Sequence, residues 1–472
     1  MFAAFSALSV RGRGATRFAT ATLVSGLAAA SVAFGAGTAA ADGEAWNQGG
    51  ASATLGGLKT YGAAVVRADS GDQQISAGLF EMSVDGGGTL QTYCVDVHNP
   101  TQRDARYRET PWSATSLGAN KDAGKIRWIL QNSYPQVNDL AALARRAGVK
   151  GGLTEQDAAA GTQVAIWRYS DEVTVDAVDP QAEQLADYLA KSARNLPEPQ
   201  PSLRLDPPAV SGTPGGRLGP VTVRTNAAGA TVTPPADAVT SGVRIVDRDG
   251  KAVTSAVNGS RVYFEVPEGA AAGQAALTVQ ASTTVPVGRA FASESRSQTQ
   301  ILAGSSESTV SAKASATWAK TGAIPALSAT ENCDKGGVDI TAANAGTAPF
   351  GFGLLGIRYS IAAGESRTVT VPLQEDQAYD FTIQGPGGFE KRFTGVLDCM
   401  TRSGEAEAVG SATQTLGEPS PATVGPAADD TNLAATGGSS VTPLIAGTAI
   451  GLVAIGGTVL IITRRKEAAL RD

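Results

Sequence analysis

The sequence predicts a multidomain chain. An α+β domain, with a β-sheet region and a helical region, is followed by two all-β domains of immunoglobulin-like sandwich type, a disordered stalk and one C-terminal transmembrane helix. Three observations carry this reading. Strand-type alternation followed by helical periodicity fills the chain to about residue 195. Beyond Pro197, Pro199 and Pro201 the pattern changes to short β-type runs separated by turns. Near the end, a charge-free apolar span is followed at once by Arg464, Arg465 and Lys466.

The chain has 472 residues, 42% apolar and 17% charged, which suits several globular domains and argues against disorder throughout. A formal charge of −6 gives nucleic acid no basic surface to bind. His98 is the only histidine, which removes His-rich metal sites and argues against a Ser-His-Asp hydrolase. No acid/base constellation, metal spacing or phosphate loop is found, so no enzyme, metal or cofactor is expected.

Residues 1–41 read as a secretory signal. Arg11, Arg13 and Arg17 precede a small and apolar run, and Ala39-Ala40-Ala41 supplies the cleavage-type end. The first domain, 42–195, opens with strand-like segments at 59–67, 74–84 and 89–97, the last two joined by Asp85-Gly86-Gly87-Gly88, a hairpin signal. In the third segment Leu90, Thr92, Cys94 and Asp96 share one face. Helical patterns follow at 122–133, ending before Pro135, and at 138–147, ending at Gly148. A third helix begins at the capping-box pattern Thr154-Glu155-Gln156-Asp157, and a fourth covers 181–193.

Residues 196–202 form a stiff Pro-rich linker. Residues 203–321 hold β-type runs at 221–224, 243–246, 261–266, 275–280 and 299–303 and are read as one sandwich. Residues 328–400 repeat the style, with runs at 338–342, 368–371, 380–384 and 391–396. From 401 to 432 the composition of Gly, Ser, Thr, Ala, Pro and acid offers too little apolar surface to offset the entropy of ordering, so a wall-spanning stalk is expected. Residues 443–463 are long enough to span a bilayer, and the basic tail 464–472 places that end in the cytoplasm.

Three cysteines in an exported chain leave one over once a pair forms. Cys333 and Cys399 bracket one small unit and make the natural disulfide; the odd thiol is then Cys94. It is either an inert core cysteine or a reactive group with a protected partner. The candidate partner is Gln163, which has Ala159 and Ala160 behind it on a helix and Ile166 and Trp167 ahead. The plain alternative is an ordinary helix glutamine. His98, four residues after Cys94, would project from the same face if the strand extends that far, and could then assist proton transfer.

Two resemblances sharpen this reading. Leu433-Ala434-Ala435-Thr436-Gly437, followed by the apolar span and basic tail, resembles a sortase sorting signal of the LPxTG type in its actinobacterial LAxTG form. The resemblance implies cleavage between Thr436 and Gly437 and joining of Thr436 to peptidoglycan, with sortase and peptidoglycan as partners. The precursor would span the membrane only transiently, through its C-terminal helix.

Tyr93-Cys94-Val95 and Thr162-Gln163-Val164-Ala165-Ile166-Trp167 resemble the paired Y-C and TQxA motifs of Gram-positive surface thioester domains, and residues 128–135 resemble a segment that family carries between them. The resemblance implies an internal thioester between Cys94 and Gln163, supported by Tyr93, Thr162, Ala165 and Trp167. In that chemistry the Cys94 thiolate attacks the Gln163 carboxamide carbon and ammonia leaves. An amine, such as a lysine side chain on a host or environmental protein, then displaces Cys94 and leaves an amide. The expected function is a wall-anchored adhesin that reacts once. Its competitors are a structural wall protein whose thioester only stabilises, and a non-covalent ligand-binding module.

Overall fold

A computed structural model describes residues 49–68 and 71–400. The expected signal peptide, stalk, sorting motif, transmembrane span and basic tail lie outside the described residues. Among those described, no helix is long and apolar enough to cross a membrane.

The chain begins with β1 (Ser52–Val66), β2 (Gln73–Val84), β3 (Thr89–Cys94) and β4 (Arg106–Thr110). β1 and β2 form a long antiparallel hairpin, and β2 turns into β3 through Gly86, Gly87 and Gly88, all at positive φ, as the glycine-rich turn requires. The helical region is α1 (Ser116–Ala119), α2 (Ala123–Asn132), α3 (Leu140–Ala147), α4 (Glu155–Ser170), then the short β5 (Val175–Ala177) and α5 (Pro180–Ser192). Local chemistry sets these boundaries. The Asp139 carboxylate accepts from the Ala142 amide at 2.8 Å, and Gly148 closes α3 in the left-handed region at φ 72°. Thr154 and Asp157 form the reciprocal capping box that opens α4.

α4 is the buried axis of this region. From Ala158 to Trp167 every residue is buried, so the helix is surrounded rather than laid on a surface. Small residues allow this. A Cβ on Gly161 would stand 2.4 Å from the Ala182 carbonyl of α5, and one on Gly62 of β1 would stand 3.0 Å from the Ala160 Cβ.

The next stretch comprises β6 (Leu203–Asp206), β7 (Ala209–Gly212), β8 (Arg217–Thr225), β9 (Ala230–Thr233), α6 (Ala238–Ser241), β10 (Arg244–Val246), β11 (Ser255–Ala256), β12 (Arg261–Glu265) and β13 (Gly273–Thr284). It continues through β14 (Ala290–Ser293), β15 (Gln300–Ser305) and β16 (Glu307–Trp318). Two sheets form here, in the orders β10-β12-β8-β6 and β11-β9-β13-β16-β7. β13 and β16 show the alternation of half-buried strands, with Leu277, Val279, Val310 and Ala314 turned inward.

β14 and β15 do not join those sheets. They leave between β13 and β16 and enter the first one, whose pairing runs β1-β2-β3-β15-β14-β4 and returns to β1, with β5 added at the side. The ring closes where β1 meets β4 at Ser52–Thr54 and β2 meets β3 at Phe80–Ser83, and the rest of the β1–β2 hairpin extends beyond it. The run at 299–303 is therefore a strand, as its composition predicts, but it serves the first sheet and not the sandwich of 203–321. Strand propensity reports that a segment pairs; its partner, some 200 residues away here, is a tertiary choice. Consistent with this interlacing, one hydrophobic core runs from Ala51 to Trp318.

The last unit has its own core, from Ala323 to Phe393. It consists of β17 (Pro325–Asn332), β18 (Gly337–Asn344), β19 (Phe350–Leu354), β20 (Ile357–Ile361), β21 (Ser366–Pro372), β22 (Ala378–Gln384) and β23 (Glu390–Val396). These pair as β17-β18-β21, β19-β20 and β22-β23. Cys333 and Cys399 are joined by a disulfide that ties the two ends of the unit together, as their positions predict.

Candidate functional site

Cys94 is the last residue of β3, and Gln163 lies midway along α4. Both are fully buried, at 1% and 0% exposure, so water is kept from them. The Cys94 amide N–H donates to Gln163 Oε1 at 3.0 Å, and Gln163 Nε2 donates to the Cys94 carbonyl at 2.9 Å. The side-chain amide is thus clamped at both ends to the backbone of the cysteine. This is the pair that the sequence brings forward, and the fold places the two against each other.

The surrounding motif residues hold that clamp. The Tyr93 hydroxyl donates to the Tyr134 carbonyl at 2.9 Å and also meets Thr162, so the three sequence motifs converge on one point. Thr162 Oγ1 donates back to the Ala158 carbonyl at 2.7 Å. Ala165 and Trp167 are buried in the core around α4.

His98 is placed differently. β3 ends at Cys94, so strand alternation does not carry on to residue 98, and the histidine is exposed. Its backbone N–H donates to Asp96 Oδ1 at 2.8 Å; among the described residues no hydrogen bond joins its imidazole to Cys94 or Gln163. The strand-face geometry that would have aimed it at the thiol is absent.

The chain from Ser297 to Gln300, at the mouth of β15, completes the pocket, and sequence reading missed it. All four residues are buried. Ser297 Oγ meets the Tyr107 hydroxyl at 2.6 Å. Gln298 Nε2 donates to the Asn99 carbonyl at 2.7 Å and to Thr101 Oγ1 at 2.9 Å. Thr299 Oγ1 donates to Asp398 Oδ2 at 3.0 Å. Gln300 Nε2 donates to Cys94 Sγ at 3.2 Å. The signal that could have found them is Ser-Gln-Thr-Gln, four polar residues in succession leading into a buried strand.

The electrostatics are those of a dry, acidic pocket. Burial pushes the Cys94 thiol up to about 12, the charges of Asp96 and Asp171 add to the rise, and contacts with Thr101 and Gln300 oppose it. Asp171 is held well above the usual carboxylate range by burial and then by Asp96. Asp398 is raised to about 7 by burial and by Asp96, Glu375 and Asp376. Among the described residues, Glu375, Asp376 and Asp398 place one carboxylate oxygen each within 4.8 Å of one another, a grouping that acidic surfaces show without any ion.

Residues 91–195 match the family model of the thioester domain, a segment that contains both Cys94 and Gln163. The chain thus carries a segment matching a thioester domain and is β-rich over the rest of its described length. Residues 323–396 match the model of the bacterial phospholipase C, C-terminal domain. Among solved structures the chain is similar to the Bacillus anthracis TIE protein, with 15% identity over 73% of this chain and 63% of that one, at a TM-score of 0.27. It is also similar to the thioester domain of the Enterococcus faecium TIE86 protein, with 17% identity over 57% of this chain and 97% of that one, at a TM-score of 0.27. The chain spans about 63% of the length of the Bacillus anthracis protein. No curated protein matches it.

Proposed function

We propose that Cys94 and Gln163 condense into an internal thioester, and that the chain is an exported, wall-anchored adhesin using this bond to capture an amine on a target. The observation that carries the reading is the double hydrogen bond between the Gln163 carboxamide and the Cys94 backbone inside a water-excluded pocket. Orientation of this kind supplies most of what an intramolecular acyl transfer needs. The Cys94 N–H points at Oε1, the atom that gains negative charge when sulfur adds to the carbonyl carbon, and so acts as an oxyanion donor. In formation the Sγ–Cδ bond is made, the Cδ–Nε2 bond breaks, and the thiol proton leaves with ammonia.

A lysine side chain on a host or environmental protein fits the second step. Its nitrogen bonds to Cδ, sulfur departs, and one proton passes from the amine to sulfur. Each molecule reacts once, so the chain is not an enzyme. The two β-rich regions, read as immunoglobulin-like spacers, would carry the site away from a sortase-made link between Thr436 and peptidoglycan. One observation favours a second reading: the reacting groups are wholly buried, as a thioester that only stabilises the fold would be.

The intact mass of the secreted chain is the test. The expected result is a wild-type protein lighter by one ammonia than its sequence, with the full mass restored in Cys94→Ala. Equal masses for the two would end the thioester reading. If the bond is present, incubation with methylamine separates the two roles: an adhesin gains one methylamine at Gln163, and a purely structural bond does not.

A further inference from the structure

We infer that Gln300, delivered by the β14–β15 excursion, holds the reacting sulfur and stabilises the charge left on it when the thioester opens; this rests on the thioester reading above. A buried thiol raised to about 12 makes a poor leaving group, because the charge it must carry lies in a dry pocket beside two carboxylates. Opening at a useful rate therefore needs donors aimed at sulfur. Two are present. Gln300 Nε2 donates to Sγ at 3.2 Å, and Thr101 Oγ1 lies 3.5 Å from it.

Both donors are themselves held in place. Thr92 Oγ1 donates to Gln300 Oε1 at 3.0 Å, which fixes the amide so that its N–H, and not its oxygen, faces the sulfur. Gln298 Nε2 donates to Thr101 Oγ1, leaving the threonine hydrogen to turn toward Sγ. Gln300 is fully buried, and its backbone is in register with Cys94 across the β3–β15 pair. The arrangement mirrors the carbonyl side: the Cys94 N–H serves the oxygen of the acyl group, and the Gln300 N–H serves the sulfur. When an amine nitrogen bonds to Cδ of Gln163, the Sγ–Cδ bond breaks with its electron pair left on sulfur. The pair stays on Sγ, and the Gln300 N–H stabilises it by hydrogen bonding until the proton shed by the amine reaches the sulfur.

The placement has a structural corollary. The sulfur's partner comes from beyond residue 290, outside the segment 91–195 that matches the thioester domain. The reactive site is completed only when the following β-region has folded and returned its hairpin to the ring.

The test uses the full secreted chain with Gln300→Leu and Gln300→Glu. The glutamate keeps the acceptor for Thr92 and removes the N–H; the leucine removes both. Intact mass, thermal unfolding and the rate of methylamine incorporation are read for each. The expected result is folded variants that either retain the ammonia or open on the order of tenfold or more slowly than wild type, below the roughly hundred- to thousandfold loss of an oxyanion-hole donor because sulfur is a weaker acceptor. Variants with full thioester occupancy and wild-type opening rates would overturn the proposal. Should neither variant fold, Thr92→Val frees the Gln300 amide without touching sulfur, and the same slowing is expected; an unchanged rate there would overturn it as well. A wild-type chain that keeps its ammonia would instead sink the thioester itself.

Discussion

Two buried regions handle carboxylates in opposite ways. At the junction between the first sheet and the following β-region, Glu109 accepts from Arg289 Nε at 2.9 Å, from the amides of Ser202 and Ala51 at 2.9 and 3.2 Å, and from the Ser202 hydroxyl. Arg289 in turn reaches Glu198 and the Pro199 carbonyl. The charge is paired and its oxygens are satisfied. Around Cys94 the neighbouring charges are Asp96 and Asp171, of the same sign as a thiolate, with Asp398 next to Asp96. One region pairs its buried acid with a cation; the other holds Asp171 and Asp398 above the usual carboxylate range near the Cys94 thiol. The acids near Cys94 accept hydrogen bonds from Val97, Ser170, His98 and Thr299, and these leave Asp171 and Asp398 raised; raised acids of this kind are a pointer to functional sites.

The contrast is broken most severely at the junction. Arg289→Ala leaves Glu109 buried without its cation, and breaking such a pair by removing one partner costs about 3–5 kcal/mol. Chemical denaturation of the full chain should show that loss, while the thioester mass signature survives in whatever fraction remains folded. A loss under 1 kcal/mol, the scale of an exposed pair, would mean that the junction is wetter than its burial implies.

Relieving the acidic region should act in the other direction and depend on pH. Asp398 is raised to about 7 in the folded chain and Glu331 to about 8, in both cases first by burial. Between an unfolded value near 4 and those folded values, the native state holds protons that the unfolded state has released. The contribution of these two groups to stability is therefore full near pH 4 and is lost as pH rises through 7 to 8. Asp398→Asn removes the part of that fall belonging to residue 398. Above pH 7 the variant should be more stable by on the order of 2 kcal/mol, after discounting for the partial exposure of this carboxyl. Denaturation midpoints at pH 5 and pH 8 decide it: a variant no more stable than wild type at pH 8 would remove the crowding from the account.

How much of this was legible beforehand follows the same division between local and distant partners. The helices around Gln163 stand where their caps place them, because Asp139, Thr154 and Gly148 act on their own neighbours. Cys94 and Gln163 were readable because each sits in a short motif. The Cys333–Cys399 pair followed from counting cysteines within one small unit. Gln300 was not readable, since its role depends on β15 leaving one region for another and lying beside β3, across about 200 residues of chain. The role of His98 in proton transfer is conditional on strand alternation reaching residue 98, and the strand stops at Cys94. The strands at 350–354 and 357–361 alternate apolar residues with glycine or polar ones but are not among the runs predicted above; Gly351 and Gly353 weaken the strand signal of the first.

The finest separation between the two regions comes from Asp171. Its carboxylate accepts from the Val97 amide at 3.4 Å and from Ser170 Oγ at 2.7 Å, and its charge helps to hold the Cys94 thiol up. Asp171→Asn removes a like charge from near the sulfur and keeps one amide oxygen, enough for one of the two donors, which bind Oδ1 and Oδ2 separately. The thiolate then becomes easier to form, and methylamine should open the thioester faster, by about two- to fivefold for a single screened charge. The same carboxylate also attracts an approaching ammonium ion, an effect of opposite sign that salt suppresses. At high ionic strength only the influence on sulfur remains, so the acceleration should be larger there than at low salt. A rate that falls in Asp171→Asn at both salt concentrations would show that this acid acts on the incoming amine rather than on the leaving sulfur.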